Sequence, residues 1–127
     1  MASAGLRILV IDDDVVVSDS LAALLQAHGH TVTLAQDGGR ALEYIGAHPF
    51  DLVITDIIMS GTDGIEAIQV IRRQFPSMSI IAMSGGGCGF RPGYLETAHT
   101  LGADETLAKP FEEGLLLETI ERAMARH

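Results

Sequence analysis

The sequence predicts an α/β fold, a doubly wound parallel sheet of five strands alternating with five helices. Short apolar runs alternate with amphipathic segments from one end of the chain to the other, the pattern of repeated strand-helix units. Such units build a parallel sheet covered by helices on both faces. At 127 residues the chain is read as one domain, residues 1–127 with a core from about 6 to 125, able to bury roughly two thirds of its unfolded surface.

The strands are read as RILVI (Arg7 to Ile11), TVTLA (Thr31 to Ala35), DLVIT (Asp51 to Thr55), SIIAM (Ser79 to Met83) and ETLA (Glu105 to Ala108). In the first helix Leu21, Leu24, Leu25 and His28 fall at i, i+3, i+4 and i+7, and Gly29 supplies a left-handed stop. The second carries Ala41, Leu42 and Ile45 and ends near Pro49. Asp63 and Glu66, three apart, form a capping box that opens the third helix, whose Ile65, Ile68, Ile71 and Phe75 face the core before Pro76 ends it. A fourth helix spans about Tyr94 to Leu101 with Gly102 as its stop. The fifth starts after Pro110 and runs through Leu115, Leu116, Ile120 and Ala123.

Composition narrows the function. Hydrophobic residues make up 47% and charged ones 20%, evenly spread, which excludes a disordered chain. A net charge of −9 with only eight Lys and Arg disfavours a nucleic-acid binder and points to proteins or cations as partners. No membrane span or cleavable leader is expected, so the protein is placed in the cytoplasm. The single cysteine, Cys88, leaves no internal disulfide framework, fits a reducing compartment and reads as an ordinary loop thiol.

In open parallel sheets, sites form beyond the carboxyl ends of the strands. There the chain places Asp12, Asp13 and Asp14 after the first strand, Asp56 after the third, Ser84 after the fourth, and Lys109 with Pro110 after the fifth. Several carboxylates in one pocket repel one another unless a cation is bound. An all-oxygen donor set suits Mg2+. Lys109 adds a mobile charge for a carboxylate or a phosphate oxygen, and Ser84 a hydroxyl. Each residue also has a plainer role. Asp14, and less readily Asp12 and Asp13, can cap a helix. Asp56 can form a turn, Lys109 can be a solvated charge, and Ser84 can simply begin a turn before GGG. The five histidines lack metal-ligand spacing and read as surface or helix-end residues.

The segments ILVIDDD, DLVITDIIMSGTDG, IIAMSGG and GADETLAKPF, in this order and spacing, resemble the receiver domain of two-component response regulators over essentially the whole chain. The resemblance implies a flavodoxin-like (βα)5 fold with strand order 2-1-3-4-5. It also implies phosphoryl transfer from a phosphohistidine on a sensor histidine kinase or a histidine phosphotransfer protein to one aspartate. Carried onto this chain, that acceptor is Asp56. Asp13, Asp56 and the backbone carbonyl of Ile58 would ligate Mg2+ directly and Asp12 through water, Lys109 would contact the acyl phosphate, and Ser84 would be the hydroxyl that swings toward it. The loop after the fourth strand would then be drawn inward. Such a domain is a phosphoacceptor rather than a turnover enzyme and passes its signal to a downstream protein. It is a monomer, or a weak homodimer through the fourth helix and fifth strand.

Three positions depart from the family pattern. Thr106 stands where an aromatic switch residue is usual, which puts the usual ring-rotation coupling in doubt. Ser60 replaces a common proline. GGGCGFRPG, Gly85 to Gly93, has five glycines and is expected to be a pliable loop. Ile58 and Gly86, two beyond Asp56 and Ser84, cannot hydrogen-bond an attacking water through a side chain, so slow dephosphorylation is expected.

Two other functions compete. Hydrolases of the haloacid dehalogenase type also use a strand-end Asp with Mg2+, but they need a second Asp two residues on, where this chain has Ile58. A degenerate receiver that binds a partner without phosphorylation is disfavoured by Asp12, Asp13, Asp56, Ser84 and Lys109 occurring together. A fragment of a larger regulator or hybrid kinase remains an alternative, and a DNA-binding output is not expected within these residues.

Overall fold

The computed structural model describes residues 5–57, 64–84, 102–109 and 112–127. Its order is β1 (Arg7–Ile11), α1 (Val15–Ala27), β2 (Thr31–Ala35), α2 (Gly38–Ala47), β3 (Leu52–Asp56), α3 (Gly64–Gln74), β4 (Ser79–Ser84), β5 (Glu105–Ala108) and α4 (Glu113–Ala125). All strand pairings are parallel, in the order β2-β1-β3-β4-β5. The expected helix at Tyr94 to Leu101, the loop Gly85 to Gly93, the Asp63 cap, Ile58, Ser60, Cys88 and Pro110 lie outside the described residues.

Alternation along each strand divides the core in two. Ile8, Val10, Leu52, Ile54, Ile81, Met83 and Leu107 face α1 and α4, meeting Leu21, Leu25, Leu116 and Ile120. Leu9, Ile11, Val53, Ile80 and Ala82 face α2 and α3, meeting Ala41, Ile45, Ile68 and Ile71. The central strands β3 and β4 are buried throughout, which explains their unbroken apolar runs, whereas the outer strands β2 and β5 keep exposed or half-exposed residues.

The local signals act largely as read. Asp14 caps α1, its side chain accepting the backbone N–H groups of Val16 and Val17. The helix ends at Ala27, with His28 as the capping residue rather than a last core position, and Gly29 follows at φ +91°. Asp37 caps α2 by accepting the Arg40 N–H. In α4 the apolar stripe is Leu116, Ile120 and Ala123, while Leu115 is 45% exposed. Two strands end one residue later than expected. Asp51 lies before β3, where its carboxylate accepts the Arg7 backbone N–H at 2.9 Å, and Asp56 is itself the last residue of the strand. Ser84 likewise belongs to β4.

Candidate functional site at the carboxyl ends of the strands

Parallel register brings the polar strand ends together. Ile11 pairs with Thr55 and Asp56 with Met83, so Asp12 and Asp56 emerge side by side from β1 and β3. Ser84 pairs with Ala108, and the Ser84 carbonyl accepts the Lys109 backbone N–H at 2.8 Å, which fixes where the lysine leaves β5. From there Lys109 Nζ donates to Asp12 Oδ2 and to Asp56 Oδ2, each at 2.9 Å.

These three groups are withdrawn from water. Asp12 is 1% exposed and Asp56 7%, and the Lys109 side chain is largely covered. Burial raises the Asp12 pKa above its ordinary 3.8. The Asp14 N–H and the Lys109 ammonium pull it back without cancelling that effect, and the neighbouring Asp56 charge pushes it further up. Burial alone would lower Lys109, but its hydrogen bonds to Asp56 and Asp12 outweigh it and hold the ammonium above its ordinary 10.5.

The acidic run after β1 divides its work. The Asp12 N–H donates to the Ala35 carbonyl, and Asp12 Oδ1 accepts the Asp14 N–H at 2.9 Å, an i to i+2 turn that locks the carboxylate. Asp14 caps α1, and Asp13 between them is exposed. Two backbone groups, the Asp14 N–H and the Ser84 carbonyl, support this geometry beyond the expected side chains. The first is signalled by the Asp-x-Asp spacing, whereas the second has no side-chain signature.

Of the residues expected at the site, Asp12, Asp56 and Lys109 meet directly, Ser84 adjoins them through its backbone, Asp13 stands at the rim, and Ile58 is outside the described residues. Among the described residues no three His, Cys, Asp or Glu side chains are arranged to hold a metal ion together. The charge balance nevertheless fits Mg2+. The carboxylates of Asp12, Asp13 and Asp56 set against the single ammonium of Lys109 leave a formal charge of −2, and every donor is a hard oxygen.

A parallel sheet of this order with its polar groups gathered at the carboxyl edge is the flavodoxin-like arrangement. Within it, the chain belongs to the response regulator receiver domain family, whose model matches residues 8–121. The transcriptional regulatory protein FixJ of Bradyrhizobium diazoefficiens is 39% identical over 118 residues, covering 93% of this chain and 56% of FixJ. The transcriptional regulatory protein ZraR of Escherichia coli is 34% identical, covering 98% of this chain and 28% of ZraR. The chain thus spans about half, or less, of these curated relatives. Among solved structures, the receiver domain of NtrX from Brucella abortus superimposes with a TM-score of 0.87 at 32% identity, covering 94% of this chain and 99% of that one. A CheY-like receiver domain from Methanospirillum hungatei gives 0.87 at 28% identity, covering 97% and 96%. Among the described residues no helix is long and apolar enough to cross a membrane.

Proposed function

We propose that this receiver domain takes a phosphoryl group onto Asp56 from the phosphohistidine of a sensor histidine kinase or a histidine phosphotransfer protein. The observation that carries this reading is the Lys109 ammonium held 2.9 Å from both Asp56 and Asp12 at the carboxyl edge of the sheet. In the transfer a carboxylate oxygen of Asp56 attacks phosphorus, an O–P bond forms, and the N–P bond of the donor breaks with its electron pair returning to the imidazole. Lys109, already hydrogen-bonded to Asp56, offers its ammonium to a phosphoryl oxygen as charge spreads over the equatorial oxygens. Mg2+, held by Asp13, Asp56 and the Ile58 carbonyl with Asp12 behind a water, would supply the remaining positive charge. Ser84, at the end of β4, would supply the hydroxyl that answers the new group.

The domain is thus a signalling phosphoacceptor of the cytoplasm rather than a turnover enzyme, and its output is contact with a downstream protein. Incubation with Mg2+ and acetyl phosphate, followed by intact mass measurement, tests the reading. One added phosphoryl group that requires Mg2+ and is abolished in Asp56→Asn is the expected result. If neither acetyl phosphate nor a panel of phosphorylated kinases adds mass to the folded protein, the domain is a phosphorylation-independent binding module.

A further inference from the structure

We infer that Arg72 and Asp104, at the edge of the sheet opposite the phosphoacceptor, are positioning residues that set the register of β5 and so place Lys109 against Asp56. The inference rests on the phosphoacceptor reading only for its kinetic consequence.

β5 has four residues, lies at the edge of the sheet and pairs with β4 alone. So short a ladder specifies its register weakly, and a slip of one residue would turn each side chain to the other face. Two fastenings hold it. At its far end the Lys109 N–H meets the Ser84 carbonyl. At its near end Asp104 makes a reciprocal pair with one residue of β4: the Asp104 N–H donates to the Ile80 carbonyl at 2.8 Å, and the Asp104 carboxylate accepts the Ile80 N–H at 2.8 Å.

Arg72, from α3, holds that carboxylate in place. Its Nε and Nη2 donate to the Gly102 carbonyl, Nη1 to the carbonyls of Pro76 and Met78, and Nη2 to Asp104 Oδ2 at 2.9 Å. Every N–H of the guanidinium is therefore engaged, an arrangement the ammonium of a lysine cannot reproduce. Gly102 makes the approach possible, because a Cβ there would lie 3.1 Å from Arg72 Cβ. The second Asp104 oxygen meets His127 Nε2 at 2.9 Å, so both carboxylate oxygens are committed. This is more anchoring than a surface turn needs, and it converges on the one strand whose end carries the site lysine.

A double-mutant cycle separates positioning from general stability. Rates of phosphorylation by acetyl phosphate at saturating Mg2+ are compared for wild type, Arg72→Ala, Lys109→Ala and the double variant, all below their melting temperatures. Arg72→Ala is expected to slow wild type about tenfold, in line with the cost of misplacing a reacting group, and to leave Lys109→Ala unchanged. An equal slowing in both backgrounds overturns the inference. Hydrogen exchange supplies a readout independent of phosphorylation. In Arg72→Ala the Lys109 amide should exchange at least about tenfold faster while β1 and β3 keep their protection. A uniform acceleration, or none, overturns it. If wild type takes up no phosphoryl group, the phosphoacceptor reading fails by itself and exchange alone decides the positioning role. Should Arg72→Ala not fold, Arg72→Lys, which keeps charge and stem but not the fork, is expected to show the same selective pattern at lower amplitude.

Discussion

Lys109 Nζ lies 2.9 Å from Asp12 Oδ2, although their strands, β5 and β1, are separated in the sheet by β3 and β4. The lysine closes the carboxyl edge by joining Asp12 to Asp56, and it leaves no neutral way to remove it, since two buried carboxylates would face each other. Lys109→Ala is therefore expected to cost about 1–3 kcal/mol of stability at neutral pH. The Asp12 pKa is already raised, and the loss should shrink as the pH falls into the range where that carboxyl takes up a proton. For the lysine itself the folded pKa exceeds 10.5, so its contribution is complete below 10.5 and disappears as the pH climbs through the folded value. Urea unfolding of both proteins at pH 7.5 and pH 4.5 checks this. An equal difference at the two pH values would refute it.

His30 provides an acid-side counterpart. Contrary to the surface placement expected of the histidines, it is buried between α1 and β2, and its Nδ1 accepts the Leu6 N–H at 3.2 Å, which requires that nitrogen to be unprotonated. Burial first, and the nearby His28 second, lower its pKa from 6.5. The unfolded chain therefore binds a proton near 6.5 that the native state refuses until lower pH. His30 costs no stability above 6.5, and stability falls as the pH drops through the window below it. His30→Gln keeps an acceptor without a titrating group. It should show a shallower loss between pH 7.5 and 5.5 in the same unfolding measurement, and an unaltered slope would count against the assignment.

The doubly wound sheet was legible because the strand runs and the stripes of the described helices were locally consistent, from the cap at Asp14 to the stop at Gly29. The place of Asp56 at the carboxyl edge was legible for a similar reason: it closes an apolar strand run. Strand limits were less clear. Asp51 looked like the first residue of β3, yet its side chain is taken by Arg7, and Ser84 was read as following β4, yet it is the strand's buried last residue. Both depend on neighbours distant in sequence. Arg72 was illegible outright. An arginine near a helix end reads as a solvated charge, and only the approach of Gly102 and Asp104, some thirty residues on, reveals its fork of hydrogen bonds.

Two glycines should respond to alanine in opposite directions. Gly46 lies within α2 and a Cβ there would meet nothing within 4 Å, so Gly46→Ala should stabilise by about 0.5–1 kcal/mol through helix propensity. Gly102 has φ +142°, and its Cβ would press on the Arg72 stem. Gly102→Ala should cost about 1–3 kcal/mol. Thermal melts of the two variants beside wild type decide it, and the same sign for both would contradict the backbone argument.

The lifetime of the phosphorylated state depends on how well a water is held for attack on the acyl phosphate. In the receiver pattern the residues two beyond the acceptor and two beyond the hydroxyl flank that path, here Ile58 and Gly86, and neither side chain can donate to or accept from water. The phosphorylated protein should therefore decay slowly. Ile58→Asn adds one hydrogen-bonding side chain. A single such bond formed in the transition state, worth ~1.4 kcal/mol, corresponds to about tenfold faster decay. The half-life of the added phosphoryl mass, followed after acetyl phosphate is removed with Mg2+ retained, measures this directly. Equal half-lives for wild type and Ile58→Asn would show that water positioning at residue 58 does not limit the decay.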